Sequence, residues 1–460
     1  MDMLRVRSGH IVDTAGRPVR LRGVCLGGWL NQENFITGYP GAESAWRDAL
    51  ASALGPERAE GFFKNFLDCF ITDADLAYLA SLGASVVRIP FNYRHFEDDK
   101  HPGSFKDTGF TRLDHTLELC RRRGLYAILD LHAAPGWQNP DWHSDNTGTD
   151  ALLWEHPGFR QRTVALWAAL AERYRSRACV AGYNLLNEPV APDPEALNQF
   201  YREVTAAIRS VDSEHLLFLE GNHFSVDFSQ LEAPFDENTV YSLHYYVTPG
   251  FATMSYPGEH LGKRYDLDSM AEDYAERRAF MTRHQVPCWV GEYGVVFKNE
   301  RSPEDRLRCL SDLLAIFERF GDHHTYWTYK DIGVMGLVTV APESPWMVAT
   351  RQGRDHKRLL STDCFAMDRG DVRIQVDHLL ETVGSLVGRD CLDLDRLRSR
   401  LYRAVFGVVL SEALLPSYAA AFKGLDQITL EGLADSFRFE RCVPRREVAK
   451  LLAKTFRLPA

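Results

Sequence analysis

This sequence has no basic surplus, no C-x-x-C pair, no long apolar run and no apolar leader, and each absence removes a class of function. Acidic residues outnumber basic ones, 63 to 53, for a formal net charge of -10. A nucleic-acid protein carries the opposite footprint. Nine cysteines stand far apart between Cys25 and Cys442, so zinc ribbons and thioredoxin-type redox chemistry have no local support. Isolated thiols fit a reducing compartment. The opening MDMLRVRSGHIVD lacks the apolar core of a secretory signal, and no run of about 20 apolar residues is available to cross a bilayer. The expectation is a soluble cytoplasmic protein with no membrane and no nucleic-acid partner. Neither H-E-x-x-H nor another compact ligand spacing occurs. His132, His143 and Asp145, or the pair His323–His324, are therefore weak metal candidates, and no metal or cofactor is expected.

What is present is an ordinary globular composition over 460 residues, 45% hydrophobic and 25% charged. Apolar runs recur at Leu21–Gly28, Ser85–Phe91, Tyr126–His132, Gly182–Asn187, Leu216–Glu220, Val240–Tyr246, Pro287–Glu292 and Thr325–Tyr329. Near-continuous apolar runs are what fully buried parallel strands look like. Between them lie segments with helical spacing: Ala74–Leu82, Leu113–Arg123, Arg160–Tyr174, Pro194–Val211 and Pro303–Phe320. Strand–helix alternation over about 330 residues predicts an α/β fold, a closed (β/α)8 TIM barrel. A doubly wound sheet would carry a G-x-G-x-x-G turn after its first strand, and GVCLGGWL does not.

Leu4–Arg20 reads as an N-terminal hairpin turning at Asp13–Gly16 and plugging the barrel floor. Apolar stripes at Val372, Val376, Leu379, Leu380, Val383 and Val387, then at Leu394, Leu397, Leu401 and Val405, then at Val448, Leu451, Leu452 and Phe456 predict helices. The expected division is a catalytic barrel over 1–345 and a helical extension over 346–460, one of whose helices completes the barrel. The extension is a candidate interface, although nothing in the sequence sets an oligomeric state.

In such a barrel the active site lies at the C-terminal ends of the strands. The residues there are Arg88, Asp130 and His132, Asn187 and Glu188, His244 and Tyr246, Glu292, and Trp327. His244 and Tyr246 alternate along a strand and so share a face. Glu188 and Glu292 project into one mouth from different strands. Two carboxylates across a pocket can hydrolyse a glycoside, one as acid/base and the other as nucleophile or base. The acid needs a raised pKa, and the nucleophile must stay ionised, for which Arg88 is the available cation. Aromatic faces suit sugar C–H surfaces. Trp327 is the leading candidate, and Trp137, Trp142, His143 and Asp145 offer further contacts from the loop after strand three. Asn31 and Glu33 follow strand one. Lys330 and Asp331 follow strand eight, where they could reach substrate or pair with each other.

The ordered motifs LRGVCLGGW, VVRIPFNY, LDLHAAPG, LLNEP, SLHYY, WVGEYG and TYWTYKD resemble glycoside hydrolase family 5, the cellulase-like barrel family, over about residues 1–345. The loops WLNQENFITGYPG, WQNPDWHSDNTG and YKDIGVMGLV look like a bacterial branch more than the well-known endoglucanases. The resemblance implies a retaining enzyme with Glu188 as acid/base and Glu292 as nucleophile. It implies that Asn187 binds the sugar 2-hydroxyl, Arg88 and Tyr246 support the nucleophile, and His244 stands near the acid/base. His132 then meets the terminal sugar and Trp327 is its platform. Long loops after strands one, three, six and eight suggest a closed pocket, and with it exo action on a small glycoside or oligosaccharide. Cytoplasmic residence points the same way, since insoluble polymers do not enter cells. An endo-acting β-glucanase, a non-catalytic carbohydrate-binding barrel and a metal-dependent hydrolase are the alternatives. The sugar, whether gluco-, manno-, galacto- or furanoside, is open.

Overall fold

In the computed structural model the residues described are 1–252, 254–297, 302–362 and 370–460. Cys364 lies outside them, and each of the other eight cysteines is a free thiol.

The eight strands run β1 Arg22–Cys25, β2 Val86–Asn92, β3 Tyr126–Ala133, β4 Val180–Asn184, β5 Leu216–Glu220, β6 Thr239–His244, β7 Cys288–Tyr293 and β8 His323–Tyr326. They close into a parallel barrel in chain order, with β8 paired to β1 through Tyr326 and Val24. Tyr126 is the one strand residue not fully buried, which is why the runs read as continuous rather than alternating. The (β/α)8 architecture expected from the apolar runs is therefore the one observed.

Helices Asp73–Leu82, Asp107–Arg123, Pro157–Tyr174, Pro194–Arg209 and Pro303–Phe320 follow their strands. The first starts in a capping box, in which Thr72 and Asp75 each bond the other's backbone. It stops at Gly83, whose φ of 92° is the left-handed C-cap geometry. Between β5 and β6 stands only the four-residue turn Asn222–Ser225. After β8 the chain wanders before Arg446–Phe456 buries Val448, Leu452 and Phe456 and packs on Pro303–Phe320, Asp73–Leu82 and β1.

The floor is sealed by Leu4, Ile11 and Leu21 against Val86, Ile128, Leu216, Phe218, Val240 and Trp289. Here one expectation is corrected. The hairpin Arg5–Arg7/His10–Val12 turns at Ser8–Gly9, not at Asp13–Gly16. Asp13 instead makes a second turn, accepting the N–H groups of Ala15 and Arg17.

The segment after β1, expected as a long loop, holds the single turn of helix Asn34–Thr37 and two longer helices, Glu43–Leu54 and Pro56–Phe70. Trp46, Leu50 and Leu54 form one buried stripe, and Phe62, Phe63, Phe66 and Phe70 another. These rings meet the C-terminal region: Trp46 lies 5.1 Å from Tyr418, Phe66 4.9 Å from Phe437, and Trp346 5.1 Å from Phe437, all edge-to-face. Each fully buried Phe contributes about 1.5–3 kcal/mol. This seam fixes the helical extension beside the barrel mouth. In the helix Asp371–Val387, Val376 and Leu380 are buried, whereas Leu379 and Val387 are more than half exposed. The expected stripe is thus only part of a packed face.

Candidate active site

The strand ends of β2 to β8 converge on one cavity of about 330 Å³, lined by Glu33, His132, Trp142, His143, Glu188, Tyr246, Glu292 and Trp327, together with Asp141, Phe224, Phe251 and Arg403. That is the low end of the size range of small-molecule sites.

Arg88 is the hub beneath it. Fully buried, it donates from Nη1 to Glu292 Oε1 at 2.5 Å, from Nη2 to Asn187 Oδ1 at 2.7 Å, and from Nε to Asn184 Oδ1 at 3.1 Å. Its Nη2 also stands 3.1 Å from Asp130 and 3.3 Å from Glu220. A buried guanidinium is tolerable only with such partners. Tyr246 donates its hydroxyl to the other oxygen of Glu292 at 2.9 Å. The Glu292 carboxylate is thereby fixed from two sides. Gly291 precedes it because a Cβ there would fall 2.6 Å from Ser242 Oγ and 3.0 Å from His244 Nε2.

Glu188 sits on a strained backbone, with φ 46°. Its N–H donates to Glu220 Oε2 at 2.7 Å. His244 Nδ1 lies 2.7 Å from Oε1 and His143 Nε2 3.1 Å from Oε2. Burial would raise this carboxyl's pKa, but the hydrogen bonds from His143 and His244 outweigh it and hold the group well below the usual carboxylate range. The raised pKa expected of an acid is thus not seen in the unliganded site. Both histidines are raised instead, against burial. His143 is raised by Glu188, and His244 by Glu220, Glu292 and Glu188. Both imidazoles thus favour their protonated forms beside the Glu188 carboxylate.

His132 is held between Asp130 Oδ2 at 2.8 Å and Glu33 Oε1 at 3.0 Å. Burial would lower its pKa, but Asp130 and then Glu33 reverse that and lift it to about 10. Its ring stacks on Trp327, with centroids 5.3 Å apart and an interplanar angle of 2°. Gly27 leaves room for that indole, since a Cβ there would stand 2.8 Å from it. Glu33 itself is pushed up by burial.

Several sequence candidates stand outside the cavity wall. Asn31 donates from Nδ2 to the carbonyl of His143 at 3.1 Å and so supports that residue from behind. Trp137 is half-buried in the loop after β3, at φ 63°. Asp145 is buried and binds Ser44 N at 2.7 Å, Arg94 Nε at 2.9 Å and Asn92 Nδ2 at 3.0 Å, tying three segments together. Lys330 and Asp331 neither pair with each other nor reach the cavity. Lys330 binds Asp75 at 2.7 Å and two main-chain carbonyls, and Asp331 caps the N–H groups of residues 333 to 336. Both serve the scaffold.

Sequence reasoning missed Glu220 and the wall residues Asp141, Phe224, Phe251 and Arg403. Glu220 ends the run LLFLE at a strand terminus, a signal that was available. Arg403 comes from the C-terminal extension, and no local pattern places it at the mouth.

Glu188, His244 and Glu292 offer ligand atoms within 4.8 Å of one another, the one such trio found among the described residues. His244 Nδ1 is already engaged 2.7 Å from Glu188 in a ring whose protonated form is favoured, and Arg88 adds positive charge. The trio is therefore poorly disposed to hold a cation. The same figure bounds the closest oxygens of the two glutamates. Carboxyl groups about 5–5.5 Å apart suit a retaining glycosidase, whereas inverting ones stand about 6.5–9.5 Å apart. No helix among the described residues is long and apolar enough to cross a membrane.

Comparison with known proteins agrees with this chemistry. Residues 55–333 match the family Cellulase (glycosyl hydrolase family 5). A "Beta-xylosidase" of Phanerodontia chrysosporium is 39% identical over 100% of this chain and 99% of its own length. "Endoglucanase C" of Acetivibrio thermocellus is 27% identical over 58% of this chain and 87% of its own. The crystal structure of the clostridial cellulose synthase subunit Z from Clostridioides difficile shares the fold, with TM-score 0.52 and 18% identity over 69% of this chain and 94% of that one. Members of this family act on carbohydrates with retention of configuration. The chain belongs to glycosyl hydrolase family 5, and the protein is a glycoside hydrolase.

Proposed function

We propose that the protein is a retaining, exo-acting β-glycosidase that releases one terminal sugar from a small glycoside or oligosaccharide. The observation that carries this reading is the close approach of Glu188 and Glu292, within 4.8 Å, in a cavity of only about 330 Å³. A cavity of that volume suits the end of a chain better than the several consecutive sugars an endo enzyme spans.

Glu292 is the nucleophile. Held by Arg88 and Tyr246, its carboxylate attacks the anomeric carbon as the bond to the leaving oxygen breaks. Glu188 delivers the proton to that oxygen. In the resting site the proton is stored on the histidines, and it returns to Glu188 Oε2 across the 3.1 Å contact from His143 as negative charge develops on the departing oxygen. Glu188, ionised again, takes a proton from water. The water oxygen bonds to the anomeric carbon and the Glu292 ester breaks, restoring the Glu292 carboxylate, and Glu188 passes the proton taken from water back to His143. Asn187, oriented by Arg88, donates to the 2-hydroxyl. His132 and Glu33 hydrogen-bond the other hydroxyls of the terminal sugar, and Trp327 supports its ring.

The full-length relative named β-xylosidase makes a β-xyloside the first substrate to try, with a β-glucoside second. The test is product analysis on xylo- and cello-oligosaccharides. The account expects a monosaccharide as the first product from every chain length. Dimers and trimers appearing first would favour the endo reading, which the relative named endoglucanase represents.

A further inference from the structure

The C-terminal extension supplies part of the cavity wall, and its position relative to the two carboxylates defines which part. Arg403 reaches the mouth with Nε 2.7 Å from Asp141 Oδ1 and donates from Nη1 to Ser399 Oγ at 2.7 Å. Its guanidinium lies 5.6 Å over the ring of Phe224. Nη2 has no protein partner among the described residues, and the residue lines the cavity.

Phe224 is itself held at a conformational cost. His223, Phe224 and Ser225 have φ of 53°, 63° and 62°, three consecutive left-handed residues with no glycine among them. Such strain persists only where surrounding contacts impose it, and it concentrates at ligand clamps. Here Ser225 Oγ donates to the Ser242 carbonyl at 2.8 Å, and Asn222 Oδ1 accepts the N–H of Ala191 at 2.9 Å. The Phe224 N–H donates to the carbonyl of Pro189, the residue after Glu188, at 3.3 Å. The His143 ring, which contacts Glu188, lies 6.2 Å from the Phe224 ring. Phe224 and Arg403 therefore line the cavity beside Glu188, on the side of His143 and the Pro189 carbonyl. Glu188 protonates the leaving oxygen in the mechanism above, so this is where the leaving group must lie.

We infer that Arg403, anchored by Asp141 over Phe224, is a specificity-determining residue of the leaving-group site, and that the C-terminal extension thereby forms part of the active site. Asp141 balances the Arg403 charge, so the site takes a neutral leaving group. Phe224 offers an apolar ring and Arg403 Nη2 two N–H donors, a combination that fits the C–H face and one or two hydroxyls of a second sugar. The inference rests on the assignment of Glu188 as acid/base.

The test compares leaving groups on one terminal sugar. Values of kcat/KM are measured for wild type, R403A, R403K and D141N on a disaccharide and on the 2,4-dinitrophenyl glycoside of the same sugar. The dinitrophenolate has no hydroxyl for Nη2 and departs without acid help. R403A is expected to lose about tenfold or more on the disaccharide, the scale of one lost hydrogen bond to a charged group. The loss on the aryl glycoside should be several times smaller. D141N, which keeps an acceptor for Arg403 Nε but removes the charge that holds it, should shift the ratio the same way by less than R403A, and R403K likewise. Equal losses on both substrates, or no loss on the disaccharide, would overturn the inference. Should R403A unfold, as a thermal melt would reveal, R403K and D141N carry the same comparison. The exo reading is judged on wild-type products and the inference on the ratio between substrates, so either can fail alone.

Discussion

The backbone N–H of Glu188 donates to Glu220 Oε2 at 2.7 Å, so one buried carboxylate holds the strained main chain of another. Glu220 Oε1 also stands 3.3 Å from both Arg88 Nη2 and His244 Nε2. Glu220 is thus a positioning residue for both glutamates. E220A should lower kcat by about 10²-fold, the scale of a misplaced catalytic group. E220Q keeps an acceptor for the N–H and should lose less. Equal kcat values for the two variants would deny Glu220 this role.

The acid/base role of Glu188 predicts a dependence on the leaving group. E188Q should lose about 10²–10⁴-fold in kcat/KM on a disaccharide, whose leaving oxygen needs a proton. On a 2,4-dinitrophenyl glycoside the loss in the same quantity should be far smaller. A uniform loss across leaving groups would remove Glu188 from proton transfer.

Stability should fall at alkaline pH for a reason located in the site. The pKa of His132 is raised to about 10, and those of His143 and His244 are raised as well. A group bound more tightly to its proton in the folded state adds stability below its unfolded pKa, about 6.5 for histidine. That contribution fades as pH rises through the folded value. His95, partly buried, and His323, buried, are lowered by desolvation, act in the opposite sense and cost stability only as pH falls below about 6.5. Denaturant melts should therefore show decreasing stability from about pH 6.5 to 10. In H132Q that slope should be shallower, and an unchanged slope would contradict the charge assigned to His132.

Lys330 and Asp75 form an ion pair at 2.7 Å with neither side chain exposed, and Tyr329 donates to the same carboxylate at 2.8 Å. K330M leaves Asp75 buried without its cation, which costs about 3–5 kcal/mol. The variant should melt markedly lower while its kcat, measured well below the melt, stays near wild type. A selective loss of kcat with unchanged melting would return Lys330 to the substrate site.

Much of the fold is legible in the sequence because buried parallel strands are unbroken apolar runs, and all eight stand out as such. The carboxylates and their partners are legible because they end those runs. The residues mistaken for substrate contacts have the same address. Asp145, Lys330 and Asp331 are polar and close to strand ends, and only the coordinates show that their valences are spent on backbone and buried partners. The helices over 43–70 take the place of the loop expected there, although Trp46, Leu50 and Leu54 spell a helical stripe. Arg403 was out of reach altogether, since its place at the mouth depends on the aromatic seam of Trp46, Phe66, Trp346, Tyr418 and Phe437 bringing distant parts of the chain together.

Mass spectrometry of the protein after incubation with a 2-deoxy-2-fluoro aryl β-xyloside or β-glucoside tests the central claim most directly, because the fluorine slows release of the sugar from its covalent ester. The account predicts one sugar adduct, mapped to the peptide containing Glu292, and no adduct in E292Q. A label on Glu188 or elsewhere, or turnover of ordinary aryl glycosides by E292Q at a rate near wild type, would contradict it.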